Sequence, residues 1–224
     1  MNGDATGAGT VIRKDESGVV LSEAQLENGV LTGPAVSYHP NGQRAHTATF
    51  KDGKLAGEMV QYDAAGEIAA RMNFRDGVLD GPMIVYADGR KLAELPYAKG
   101  VLEGEMKSYD AAGRLQSIAP YKAGKLDGVM TVFHPSGAKL REAPYKAGLL
   151  EGEAVDYWES GGMRQRASWR ADLLDGPLTS YHESGDVNEQ AVFAKGKPVS
   201  RQQAPPPEPG KAQKKSWIDK AFGG

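Results

Sequence analysis

Two kinds of side chain recur in this sequence with spacing regular enough to suggest chemistry. Carboxylates return as Asp80, Glu103, Asp127, Glu151 and Asp175, and histidines stand at positions 39, 46, 134 and 182. Paired carboxylates do general acid-base work when two of them face each other at a fixed separation in a cleft. Imidazoles hold a metal when several converge on one ion at ~2 Å. Neither arrangement follows from this spacing. The carboxylates return at every rung of a periodic chain, so no pair is singled out. His134 and His182 lie two periods apart, roughly 20 Å at ~4.8 Å per strand. The chain has no cysteine, which removes thiolate nucleophiles, disulfides and Cys-based zinc sites. No nucleophile elbow, phosphate loop or catalytic triad is present, and the glycines are explained by turns. The sequence predicts no enzyme activity, no metal and no cofactor.

The elements that carry these residues repeat. Gly-x-Leu-x-Gly begins at Gly29, Gly53, Gly77, Gly100, Gly124 and Gly148, and a seventh copy starts with Asp172 in place of the first Gly. An aromatic follows five residues after the second Gly of each copy: Tyr38, Tyr62, Tyr86, Tyr109, Phe133, Tyr157 and Tyr181. A turn glycine comes next, and eight residues beyond it stands a second aromatic: Phe50, Phe74, Tyr97, Tyr121, Tyr145, Trp169 and Phe193. Internal periods of this length are the signature of repeat architectures.

Each copy reads as a β-hairpin. Gly81-Pro82-Met83-Ile84-Val85-Tyr86 is short, β-branched and aromatic, as a pleated strand requires. The links His39-Pro40-Asn41-Gly42 and His134-Pro135-Ser136-Gly137 are turn chemistry. Asp88-Gly89 falls where one copy is a residue short, which predicts a two-residue hairpin loop there. A single hairpin cannot bury a hydrophobic face, but stacked hairpins can. The expected fold is all-β: an elongated single-sheet solenoid of seven hairpins of about 24 residues, with about 14 strands and a C-terminal tail. Residues 1–26 form an N-terminal segment with a partial capping repeat, 27–200 the seven repeats, and 201–224 a Pro-rich linker and basic, aromatic tail. Pro96, Pro120 and Pro144 share one column. Because proline removes a ladder donor, the strands are expected to end or bulge before them.

Lys and Arg number 27 against 29 Asp and Glu, a balance without the basic excess of nucleic-acid binders. No apolar run approaches the length that spans a bilayer, and Met1 to Gly18 lacks a signal-peptide core. These features predict a soluble cytoplasmic chain without nucleic-acid partners.

The unit Gly-x-Leu-x-Gly-x4-aromatic-x3-Gly-x7-aromatic resembles the MORN repeat, and most closely the variant of bacterial YwqK-like antitoxins. The resemblance runs from about Glu27 to Gly196, and it implies a non-catalytic protein-binding scaffold that neutralises a bacterial toxin by direct contact. An adaptor or secretion-effector module and a peripheral membrane scaffold are the alternatives, since related repeats serve in both settings. The candidate partner-binding residues are Trp158, Tyr38, Tyr62, Tyr86, Tyr109, Tyr157 and Tyr181, joined by the acidic column Asp80, Glu103, Asp127 and Glu151. Tyrosine makes a rigid amphipathic strip. Trp158 stands outside both aromatic ladders, so it is expected to be exposed. Basic residues Lys51, Arg75, Lys122, Lys146 and Arg170 line the same turn edge as the acids. The methionine column Met59, Met83, Met106 and Met130 reads as core filling. In the tail, Trp217, Ile218 and Phe222 would share one face of a short helix begun at Ser216, a docking motif and the one place for membrane contact.

Overall fold

The computed structural model describes residues 8–203, and within them the chain is all-β, with no helix. It divides between Arg114 and Leu115 into two compact units. The first holds β1 (Gly9–Lys14), β2 (Val20–Glu27), β3 (Val30–Tyr38), β4 (Arg44–Lys51), β5 (Lys54–Leu55), β6 (Gly57–Tyr62), β7 (Ile68–Arg75), β8 (Val78–Leu79), β9 (Gly81–Ala87), β10 (Arg90–Ala98), β11 (Val101–Leu102) and β12 (Gly104–Tyr109). The second holds β13 (Leu115–Lys122), β14 (Lys125–Leu126), β15 (Gly128–Phe133), β16 (Lys139–Lys146), β17 (Leu149–Leu150), β18 (Gly152–Tyr157), β19 (Met163–Arg170), β20 (Leu173–Tyr181), β21 (Val187–Ala194) and β22 (Lys197–Gln203). Within each unit the long strands form an antiparallel meander, each pairing with the long strands before and after it, and each two-residue strand pairs with the long strand that precedes it.

The 22 strands exceed the expected 14 for two reasons. Five Gly-x-Leu segments form separate two-residue strands (β5, β8, β11, β14, β17), and β1, β2 and β22 extend the pattern at its ends. Each two-residue strand begins with a tight reversal. At Ala147-Gly148 both residues have positive φ, 52° and 93°, and Lys146 pairs with Leu149 across them. This is the geometry of a two-residue type I′ connection, whose twist matches that of the flanking strands. Asp88-Gly89 makes the two-residue loop that its short copy predicts, with φ of 50° and 70° and Ala87 opposite Arg90.

The proline expectation is half corrected. The strands do not stop: Pro144 sits inside β16, opposite Val129. A discontinuity does lie on its other side, where β16 pairs first with β18 and then with β17. Pro144 O accepts Glu151 N (2.9 Å) toward that gap. Its missing N–H faces the same side, because both groups of an antiparallel residue point one way. No ladder bond to β15 is lost. The facing second glycine explains itself here as well. A Cβ on Gly152 would stand 3.1 Å from Pro144 Cγ, and one on Gly128 2.8 Å from Pro120 Cγ.

Alternation along the strands sends the two aromatic columns to opposite faces. In the second unit Ala143 and Tyr145 share a face with Ala154, while Glu142, Val155 and Tyr157 share the other. The core lies on the first of these. Ala167, Leu178, Ala191 and Phe193 are buried together with Trp169 and Leu174 against them. Ala143, Leu150 and Ala154 are buried beside Tyr145 and Trp169. Small alanines in the strands leave room for the second aromatic and the Leu of each two-residue strand. In the first unit the same core-side column holds Met59 opposite Met72 and Met83 opposite Leu95, all half-buried. The methionine column thus lies on the core face in that unit, but half-buried.

Candidate functional site

The second-column aromatics take the core face, as Phe193, Trp169 and Tyr145 do in the second unit, and leave the opposite face to the first-column tyrosines and charged partners. Tyr38, Tyr62, Tyr86 and Tyr109 in the first unit and Tyr157 and Tyr181 in the second are all half-buried. Two of them belong to clusters that repeat one architecture. Lys91 Nζ donates to Glu94 Oε1, Tyr109 Oη donates to Glu94 Oε2 (3.3 Å), and the Lys91 ammonium lies 5.1 Å from the Tyr109 ring centre. Lys139 Nζ donates to Glu142 Oε1 (2.5 Å) and Tyr157 Oη to Glu142 Oε2 (2.6 Å).

In both clusters the lysine hydrogen bond is the main cause holding the carboxyl below its usual range. The Tyr157 phenol is pushed up to about 12, first by its hydrogen bond to Glu142 and then by burial. The pattern Lys-x-x-Glu-x14-Tyr occurs at both places and was readable in the sequence, though only the sheet register shows why it works. Glu142 pairs with Val155 on the next strand, and Tyr157 follows Val155 by one alternation on the same face. Between these copies, at the same positions, stand Ile118 and Phe133. An aromatic without a hydroxyl is matched to a position without a carboxylate. Elsewhere in the first unit Arg71 occupies the glutamate register, opposite Val60 and Ile84, and takes Glu58 as its partner at 3.0 Å.

The acidic column lies at the turn edge and is bound into the turns. Asp127 Oδ2 accepts Ala147 N (3.0 Å), Glu151 Oε2 accepts Ala171 N (2.9 Å) and Asp175 Oδ1 accepts Lys195 N (3.3 Å). Each donating residue is the first of the two positive-φ residues of the next turn. Asp80 and Asp175 also pair with Arg75 (3.2 Å) and Arg170 (3.3 Å). Glu103 is exposed at the same position of the first unit.

The expectation of an exposed Trp158 is overturned. It is half-buried, with its indole N–H enclosed and without a hydrogen-bond partner among the described residues. The Arg164 guanidinium covers its ring at 5.8 Å. Trp158 shares the column of His134 and His182, and all three close the loop the same way, each backbone N–H donating to a carbonyl four residues on. Among the described residues no three His, Cys, Asp or Glu side chains come together as a metal site. Trp217, Ile218 and Phe222 lie outside the described residues.

No curated protein sequence matches the chain. A chain of the solved structure "Crystal Structure of TcdB2-TccC3-Cdc42" aligns with 84% of this one at 10% identity and a TM-score of 0.16, too slight a likeness to bear on the fold. This chain spans 14% of that chain's length. The family model described as MORN repeat variant matches residues 31–52, 102–123 and 126–147. Each matched stretch begins at the Leu of a Gly-x-Leu segment and ends at the positive-φ residue before the next turn glycine, so the family's unit and the structural repeat are in phase.

Proposed function

We propose that the chain is a repeat scaffold that binds a protein partner through its tyrosine face, and that the partner is a bacterial toxin that it neutralises by covering it. The observation that carries the binding reading is the division of the aromatics. One column lies on the face of the buried core, with Phe193 buried and the others half-buried, while the other, also half-buried, stands among polar side chains on the opposite face, where tyrosine offers contact area at low entropic cost. The MORN repeat variant gives such a surface a rigid support. The toxin reading rests on the likeness of the repeat unit to YwqK-like antitoxins.

Co-expression with genes encoded beside this one tests both parts. The expected result is that the chain rescues growth from a toxic neighbour, and that a chain ending at Gln203 rescues equally well. A combined Tyr62→Ser, Tyr86→Ser, Tyr109→Ser variant that keeps its strand circular dichroism should lose rescue. Rescue that depends on residues 204–224 would instead favour an adaptor using the tail, and no toxic neighbour would remove the antitoxin role.

A further inference from the structure

The two Lys-Glu-Tyr clusters give a template against which the other copies can be compared, and one copy departs from it in an informative way. Arg44 pairs with Tyr38 in the register that places Lys91 opposite Tyr86 and Lys139 opposite Phe133. Tyr62 stands where Tyr109 and Tyr157 stand. The glutamate position between them is filled by Thr47, opposite Val36 and Val60 as Glu142 is opposite Thr131 and Val155. The copy thus keeps the cation and the phenol and lacks the carboxylate that they hold elsewhere.

The place is also a depression. Tyr38, Asn41, Gln43, Arg44 and Tyr62 line an open hollow of ≈ 620 Å³. Arg44 is exposed and makes no ion pair among the described residues. The rim is fixed by bonds between adjacent loops: Asn41 Nδ2 donates to Ala64 O (2.7 Å), and His39 Nε2 lies 2.9 Å from Tyr62 O. A held rim around an unpaired guanidinium is preorganised for an anion.

We infer that this hollow is a receptor for a carboxylate supplied in trans, the side chain of a Glu or Asp on the protein partner, gripped by the Arg44 guanidinium and the Tyr62 hydroxyl. The inference rests on the protein-binding reading for the source of the carboxylate but not for the site itself. A singly charged carboxylate fits better than phosphate. The template sites balance one anion with one cation, and Glu23, opposite Val36 as Glu142 is opposite Val155, adds a carboxylate on the strand before that of Tyr38.

The test is an NMR titration of the full chain with N-acetyl-glutamate N-methylamide, following the Arg44 side-chain Nε–H and the Tyr62 ring. The expected result is saturable shifts of both, at least about tenfold weaker binding of the glutamine analogue, and loss of the shifts in Arg44→Gln. Thr47→Glu should abolish them too, by filling the site from within, and should raise the Tyr62 phenol pKa as Glu142 raises that of Tyr157. Equal binding of the glutamine analogue, shifts that persist in either variant, or tighter binding of inorganic phosphate would overturn the inference. Failure of the growth-rescue experiment with this titration intact would remove the toxin and leave the carboxylate site. The converse would remove the site alone.

Discussion

At the scale of single residues, the same need is met in two ways along the chain. A type I′ turn holds its first central residue at positive φ, where asparagine and aspartate are tolerated and alanine is strained by roughly 1–2 kcal/mol. The first three turns use Asn28, Asp52 and Asp76 there, and the residues 20 positions before Asp52 and Asp76 are the uncharged Thr32 and Ala56. Later turns use Ala147 and Ala171, and there an acid 20 positions earlier caps the strained amide. Asp127→Ala and Glu151→Ala are therefore expected to cost about 1 kcal/mol each in urea denaturation, while Thr32→Ala stays within about 0.5 kcal/mol. The Tyr157 phenol is expected to titrate near 12, and Glu142→Gln to lower it toward the ordinary value of 10.0, read by ultraviolet difference titration. A raised folded pKa stabilises below the unfolded value, so this contribution is lost as pH climbs from about 10 toward 12. The lowered Glu142 carboxyl acts in the opposite sense: its contribution is present above 4.5 and disappears as pH falls through its lower folded value.

At the scale of elements, the two-residue strands set the design of each copy. The step between a short strand and the next long one leaves a gap that proline can face at no cost to the ladder, and its ring then occupies the space of a Cβ on the second glycine. Gly128, at φ 125° and 2.8 Å from Pro120 Cγ at its Cβ position, should not accept a side chain. Gly128→Ala is expected to destabilise by about 2–3 kcal/mol, measured as a drop in denaturation midpoint. The hairpins and their turns were legible in the sequence because Gly-x-Leu-x-Gly and Pro-Asn-Gly dictate backbone conformation locally. The facing of the aromatic columns was not. Within each unit the loop hairpins carry a register shift, as between Asp156 and Tyr157, so alternation counted through the loop loses its parity and Tyr157 and Trp169 cannot be assigned to faces from spacing. Trp158 was misread for a related reason: its column of histidines and aspartates hid that the position lies along the loop rather than out in solvent. The Tyr-Glu pairs join residues 15 apart in sequence, across two neighbouring copies, so they depend on the inter-copy strand register, which no local motif encodes.

At the scale of the molecule, the second unit closes on β22, beyond the boundary expected at Ser200. Glu189 is 4% exposed on the core side and is bonded by Arg201, so a chain cut at Ser200 removes a partner of a buried carboxylate. Such a chain is expected to lose about 3 kcal/mol relative to one ending at Gln203, by thermal denaturation. Leu178, fully buried at the centre of that unit's core, should cost about 2–5 kcal/mol as Leu178→Ala. These losses are structural and leave the tyrosine face untouched, which separates stability from binding. The most direct measurement is capture of a partner by the full chain, by a chain ending at Gln203 and by the folded Tyr62→Ser, Tyr86→Ser, Tyr109→Ser variant, with the captured protein then expressed alone. One stoichiometric protein, toxic by itself, held by the first two and released by the third, is the expected result. Retention by the tyrosine variant, or loss on removing residues 204–224, would contradict binding through this face.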